Sequence, residues 1–232
     1  MTTRSPSVDA LLTRVRAAVR AQPVTVAMVP DHAVVRRIPR DRAGLSELTE
    51  LFATKAAAVG MRVTRADDAG LDAALTKLLE NRGKTVVAVR DAALAARATT
   101  AVNAARAHLA PNDNDDILFD CEVGITDVDA AIAESGSLVI STNGRIRNAW
   151  ITPPIHIAIV RASQIIPDLV DLFEPRPHAS NHDASHPDAS HPDALDAAST
   201  TIITGPSKTA DIEGVLVTGV HGPAVVEIVL VG

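Results

Sequence analysis

The sequence predicts an α/β protein in which a largely parallel sheet is covered by helices on both faces, preceded by an N-terminal helical extension. Two observations lead there. Strand-length runs such as Ile155–Val160 and Val225–Val231 are apolar at all but one position each, His156 and Glu227, rather than alternating, as expected of strands buried on both faces. Between them lie segments whose apolar residues recur every three or four positions, so strands interleave with helices along the chain. At 232 residues and 47% hydrophobic content the chain can bury a sizeable core without metal or disulfide support.

The first element is an amphipathic helix over Val8–Gln22, with Leu11, Leu12, Val15, Ala18 and Val19 on one face and Arg14, Arg16 and Arg20 between them. Pro23, Pro30 and Pro39 break the Val-rich stretch beyond it, which suits a crossing segment better than a strand. A second helix over Gly44–Val59 buries Leu45, Leu48, Leu51 and Phe52, and Gly60 follows as a C′ residue suited to a left-handed backbone. The pattern then alternates: strand Met61–Arg65, helix Asp72–Glu80, strand Thr85–Val89, and one or two Ala-rich helices over Ala92–His108. Short strand pieces come next at Asp116–Phe119 and Val123–Thr126, then a helix over Asp127–Ser135 capped by Asp127 and a strand over Ser137–Ser141. After Ile155–Val160 come a helix over Ser163–Phe173 and strands Thr200–Thr204 and Val225–Val231. The expected organisation is an extension over 1–60 and an α/β domain over 61–232, with a flexible low-complexity loop at about 176–198.

Composition excludes several function classes. Cys121 is the sole cysteine, so the chain cannot supply the thiolates of an iron–sulfur cluster or a structural zinc site. The net charge is −6 and aromatic content 2%, which argue against a phosphate-gripping or base-stacking nucleic-acid surface. No apolar run spans a bilayer and Met1–Ala10 lacks a secretory core, so the expected location is cytoplasmic. His182, His186 and His191 open the copies HDAS, HPDAS and HPDAL of a tandem repeat; with no apolar anchor this reads as a flexible insertion rather than a metal site, and no metal is expected.

Three clusters can carry chemistry. Gly205, Pro206, Ser207, Lys208 and Thr209 leave a strand in a turn whose N–H groups, hydroxyls and single positive charge suit a phosphate, carboxylate or oxyanion; Asp211 and Glu213 follow. The spacing of a Walker A loop is missing. A second turn, Gly219–Pro223, displays His221, either a general acid/base or a structural histidine. In the third, the small residues Ser135, Gly136 and Ser137 admit a ligand beside Glu134, which is a base, a nucleophile or a hydrogen-bond acceptor, or else a solvated residue beside a helix cap. Arg147 offers a guanidinium fork to an anion. His156, on an otherwise apolar strand, reads as a satisfied core or edge histidine. The clusters are expected to meet at the carboxyl edge of the sheet, where open α/β folds place ligands.

Taken in order, Val123–Thr126, Ala131–Ser137, Pro153–Val160, Gly205–Glu213 and Gly219–Pro223 resemble the LUD-domain pattern of the LutC/YkgG family, lactate utilization protein C, across about residues 120–232. The resemblance implies a fold of the NagB/RpiA/CoA-transferase-like group. It also implies a role as one component of an L-lactate oxidising system whose other proteins carry the iron–sulfur clusters, so this chain alone would bind no cofactor. Many relatives have threonine at Ser135 and Ser137, and arginine at Lys208, where lysine keeps the charge and loses the planar fork. The fold equally permits a free-standing enzyme of the sugar-phosphate isomerase or acyl-transferase type acting on an anionic substrate.

Overall fold

The computed structural model describes residues 10–14, 16–17, 44–80, 85–89, 92–109, 119–142, 147–173, 199–210 and 216–232. The chain divides into Met1–Val35 and Arg36–Gly232. Residues 10–14 and 16–17 of the first unit are helical, within the expected helix over 8–22.

In the second unit, helix α1 (Leu45–Ala58) buries Leu48, Phe52 and Ala56, one residue per turn on a single stripe. It ends in a Schellman arrangement: Gly60 N–H donates to Ala57 O at 3.0 Å and Met61 N–H to Ala56 O at 3.0 Å. Gly60 takes φ +95° there, the conformation expected of it.

Six strands form the main sheet: β1 (Arg62–Ala66), β2 (Thr85–Val89), β3 (His108–Leu109), β4 (Val123–Asp127), β7 (Ile155–Arg161) and β12 (Val225–Val231). Their spatial order is β1-β12-β7-β4-β2-β3 and every pairing is parallel. Side-chain parity sorts the two faces. Ile157, Ile159, Val229 and Val231 face helices α2 (Leu71–Leu79) and α3 (Ala92–Ala104) in one cluster, with Leu71, Leu75, Ala98 and Val102 opposite them. Ala158, Val160, Val226, Ile228 and Leu230 face the other way, onto α1.

That second face also packs against a smaller sheet, of order β8-β5-β6-β9: β5 (Ala130–Ile132), β6 (Ser137–Ser141), β8 (Ile165–Ile166) and β9 (Thr200–Ile203). Its Ala131, Leu138 and Ile140 join the core around Phe52 and Trp150 of helix α4 (Asn148–Ile151), so α1 lies within this core rather than in an extension. Helix α5 (Leu169–Phe173) sets Leu172 against the outer face, on Ala130, Ile132, Val139 and Ile166. Strands β10 (Lys208–Ala210) and β11 (Leu216–Thr218) form a separate antiparallel hairpin.

The main sheet has the expected largely parallel form with helices on both faces. Three expectations on individual elements fail for local reasons. The expected helix over 127–135 is instead strand β5 and a turn: Asp129 accepts the Ser141 backbone N–H, and Ala131 and Ile132 pair with β6 on one side and β8 on the other. Helical propensity of Ala-rich sequence is a weak preference that two strand partners override. The expected helix over 163–173 breaks into a 3₁₀ turn (Ala162–Gln164), β8 and α5. The Gln164 side chain accepts from Arg161 N–H at 2.8 Å and donates to Val128 O at 2.6 Å, and Pro167 interrupts the backbone between β8 and α5. The helix expected to run to His108 stops at Ala104. Ala107 N–H closes back on Val102 O at 2.9 Å, Arg106 takes φ +57°, and His108 begins β3. The strand piece over 116–118 and the low-complexity loop, with His182, His186 and His191, lie outside the described residues.

Among the described residues no helix is long and apolar enough to cross a membrane.

Candidate functional site

The three clusters converge, at the opposite edge from the one expected. In a parallel sheet all strands begin at one edge. Val225 of β12 pairs with Ile155 of β7, and Ile155 with Val123 of β4, so residues 219–224 enter the sheet at its amino edge. Ala224 N–H fastens that loop to Pro154 O at 2.9 Å, just ahead of β7. The 205–208 turn lies beside it: Ser207 N–H donates to Pro223 O at 2.8 Å and Gly219 N–H to Ser207 O at 2.9 Å. A Cβ on Gly222 would lie 3.4 Å from Ser207 Cβ and 3.9 Å from Ile151 O at the end of α4. His221, one residue before, is exposed beside this contact.

Backbone conformation explains the glycines at the turn. Gly205 has φ +106° and its absent Cβ would stand 2.7 Å from Val59 O, so only glycine lets the turn lie on the end of α1. Pro206 then packs 3.6 Å from where a Gly60 Cβ would be, and Lys208 Nζ lies 4.0 Å from the same point. The ammonium is thus held at the C-terminal end of α1, where the helix carries its partial negative charge.

The 134–137 cluster joins through side chains. Ser137 opens β6, opposite Thr204 at the end of β9, because Leu138 pairs with Ile203. Ser135 Oγ lies 2.7 Å from Ser137 Oγ, and Ser137 Oγ 2.8 Å from Thr204 Oγ1, so three hydroxyls form one chain. Gly136, at φ +69°, brings this turn against α1: an added Cβ would meet Ala56 N at 2.2 Å and Lys55 C at 2.5 Å. Glu134 is half-buried in the turn, its N–H donating to Pro167 O at 3.0 Å.

The arrangement alters the chemistry assigned to the 205–209 turn. Proline has no N–H, Ser207 N–H is engaged by Pro223 O, and Lys208 lies opposite Thr218 in the hairpin without bonding it through its N–H. What remains to meet an anion is mainly side-chain hydroxyl and the Lys208 charge. Thr209 is half-buried on β10. Arg147 is exposed at the start of α4, and it is the far end of that helix, Ile151, that reaches Gly222. Asp211 and Glu213 lie outside the described residues.

Beneath the amino-edge loops is a buried polar pair. Thr126 Oγ1 and His156 Nε2 are 2.8 Å apart, both residues fully buried, and His156 Nδ1 has no hydrogen-bond partner among the described residues. Burial pushes the imidazole down to about 4, so it is neutral at neutral pH. The signal for this pair was present in the sequence as two polar residues on otherwise apolar strands; their adjacency is set by register.

The carboxyl edge is differently furnished. There Asp68 receives Arg161 at 3.2 Å and Arg97 at 2.7 Å, and these guanidinium hydrogen bonds hold its carboxyl below the usual range. Beside them a cleft of about 470 Å³ opens between the first turns of α1 and the ends of β1 and β12. Leu45, Leu230 and the Arg65–Glu50 ion pair, at 2.7 Å, line it. No sequence motif marks it, since its lining comes from ordinary helix and strand residues far apart in the chain.

Comparison with known proteins places this architecture. The family model of the LUD domain matches residues 49–231. The chain is 31% identical over 196 residues to "Lactate utilization protein C" of Exiguobacterium sp., covering 80% of this chain and 78% of the relative. It is 37% identical over 111 residues to the protein of the same name from Geobacillus sp., covering 47% of this chain and 42% of that relative. In three dimensions it is similar to a DUF162 family protein from Deinococcus radiodurans, with a TM-score of 0.52 at 18% identity over 82% of this chain and 99% of the other. The match over most of the chain, together with the ordered blocks that meet at the amino edge, establishes that this chain belongs to the LUD-domain family.

Proposed function

We propose that this chain is the cluster-free component of an L-lactate utilization system, working in the cytoplasm with iron–sulfur partner proteins that take the electrons as lactate becomes pyruvate. The observation that carries the proposal is the 31% identity, over 80% of the chain, to a relative named lactate utilization protein C. A single cysteine, Cys121, buried and with its thiol pushed up by desolvation and by Asp120, supports assigning the clusters to partners.

In this proposal the amino-edge site holds a small carboxylate. The Ser207 hydroxyl and the Thr204 end of the Ser135–Ser137–Thr204 chain supply donors, and Lys208 supplies charge. His221, exposed on its Gly-rich turn, is the candidate to move a proton at the bound acid, and Glu134 the candidate base. A turn built of hydroxyls and one ammonium suits a monocarboxylate better than a polyphosphate, which needs several cations.

Deleting the gene in its native host and growing the cells on L-lactate as sole carbon source tests the proposal. The deletion is expected to stop growth on lactate and not on glucose, and a tagged chain to retrieve iron–sulfur proteins from lactate-grown cells. Undiminished growth on lactate overturns the proposal, and turnover of a sugar phosphate or acyl donor by the isolated chain replaces it with the free-standing enzyme.

A further inference from the structure

The chain of hydroxyls has a property that its members lack singly. Three O–H groups share two contacts, at 2.7 and 2.8 Å, so one proton is left over, and wherever Ser137 donates within the chain it sits at one end or the other. If Thr204 donates to Ser137 and Ser137 to Ser135, the spare proton is on Ser135. If the order reverses, it is on Thr204. The two ends are unequal in access: Thr204 is exposed, Ser135 half-buried, and Ser137 between them 1% exposed. The Thr204 end is the more open of the two, beside Gly205 and the turn that carries Ser207 and Lys208.

We propose that Thr204 is a ligand-contacting residue that selects for hydrogen-bond acceptors: a bound carboxylate draws the spare proton to Thr204, and Ser137 and Ser135 follow by reversing their donors. This rests on the reading of the amino edge as a carboxylate site. The chain then acts as a preset switch. An acceptor at Thr204 meets a donor at the cost of reorienting two hydroxyls, and a group with only donors meets the threonine oxygen in the opposite setting. A charge-assisted O–H donor is stronger than a neutral one, so carboxylates are favoured over the corresponding amides or alcohols.

The experiment measures binding of pyruvate and L-lactate to the full chain by titration calorimetry or ligand-observed NMR. Four proteins are compared: the unaltered protein, Thr204→Val, Thr204→Ser and Ser137→Ala. Thr204→Val preserves shape and removes the hydroxyl, and is expected to weaken carboxylate binding about tenfold or more. Thr204→Ser is expected to stay within about threefold of the unaltered protein. Ser137→Ala breaks the same cross-strand bond to Thr204 and so controls for a merely structural role. Thermal melting of both variants reports that shared loss, whereas affinity should fall at least about fivefold further in Thr204→Val. Equal losses of affinity in Thr204→Val and Ser137→Ala, or an unimpaired Thr204→Val, overturn the role of Thr204 and leave the carboxylate site standing. If the unaltered protein binds neither acid at millimolar concentration, the site reading and the inference fall together.

Discussion

Replacing Gly136 by alanine tests the contact through which the candidate site is seated on the core. Two costs arise. At φ +69° an L-residue sits in the left-handed region, which costs about 1–2 kcal/mol. The new methyl would also stand 2.2 Å from Ala56 N and 2.7 Å from Ala56 Cα, backbone atoms of a buried helix turn that cannot swing aside, and forced overpacking of this kind costs about 1–3 kcal/mol. A stiffer unfolded chain offsets about 0.4–1 kcal/mol. The expected loss is therefore about 1–4.6 kcal/mol, which for a domain of this size lowers the melting temperature by roughly 2–18 °C. Gly60→Ala supplies the comparison, because it sits at φ +95° with nothing nearer than 3.6 Å and bears the backbone cost without the clash. Urea titration of the three proteins separates the contributions. A Gly136→Ala protein no less stable than Gly60→Ala would refute the close seating of this turn on α1.

Three further outcomes rest on individual groups. His156 has its folded pKa depressed from 6.5 to about 4, so the unfolded chain takes up the proton first. Its contribution to stability is complete above about pH 6.5 and is lost as pH falls through 4, by up to about 3 kcal/mol; in His156→Leu the stability measured by urea titration should fall less steeply over that window, and an unchanged slope would refute it. Glu227 is 2% exposed and receives Arg62 at 3.1 Å, so Arg62→Ala should cost about 1–3 kcal/mol, and adding Glu227→Gln should recover part of it if the buried charge is the cause. Arg106 holds φ +57° without a glycine's freedom. Arg106→Gly should be neutral to about 1 kcal/mol stabilising in thermal melts, and a clear loss would mean that the arginine side chain stabilises the α3 terminus.

Much of the scaffold was legible residue by residue. Predominantly apolar strands such as 155–160 and 225–231, and the Leu48-Phe52 stripe closing on Gly60, are local patterns with one stable solution, and the structure has them where the periodicity put them. Segments 127–135 and 163–173 were misread because their strand character comes from partners. Ala131 and Ile132 are helix-compatible alone and become strand only when β6 and β8 flank them. The candidate site divides in the same way. Its members were marked by unusual glycines, hydroxyls and a histidine, yet its edge was misplaced, since the rule for open sheets assumes that the marked loops leave strands, whereas residues 219–224 enter one.

The sequence by itself determined the α/β class, the lack of cysteines for a cluster and the blocks that mark the family, because composition, periodicity and turn chemistry are properties of neighbours along the chain. Only the tertiary structure decided that Ser137 meets Thr204 across a strand pair, that Gly136 and Gly205 both lie against the last turn of α1, and that His156 is sealed beside Thr126. Those contacts join segments far apart along the chain and depend on sheet register, which no local pattern encodes.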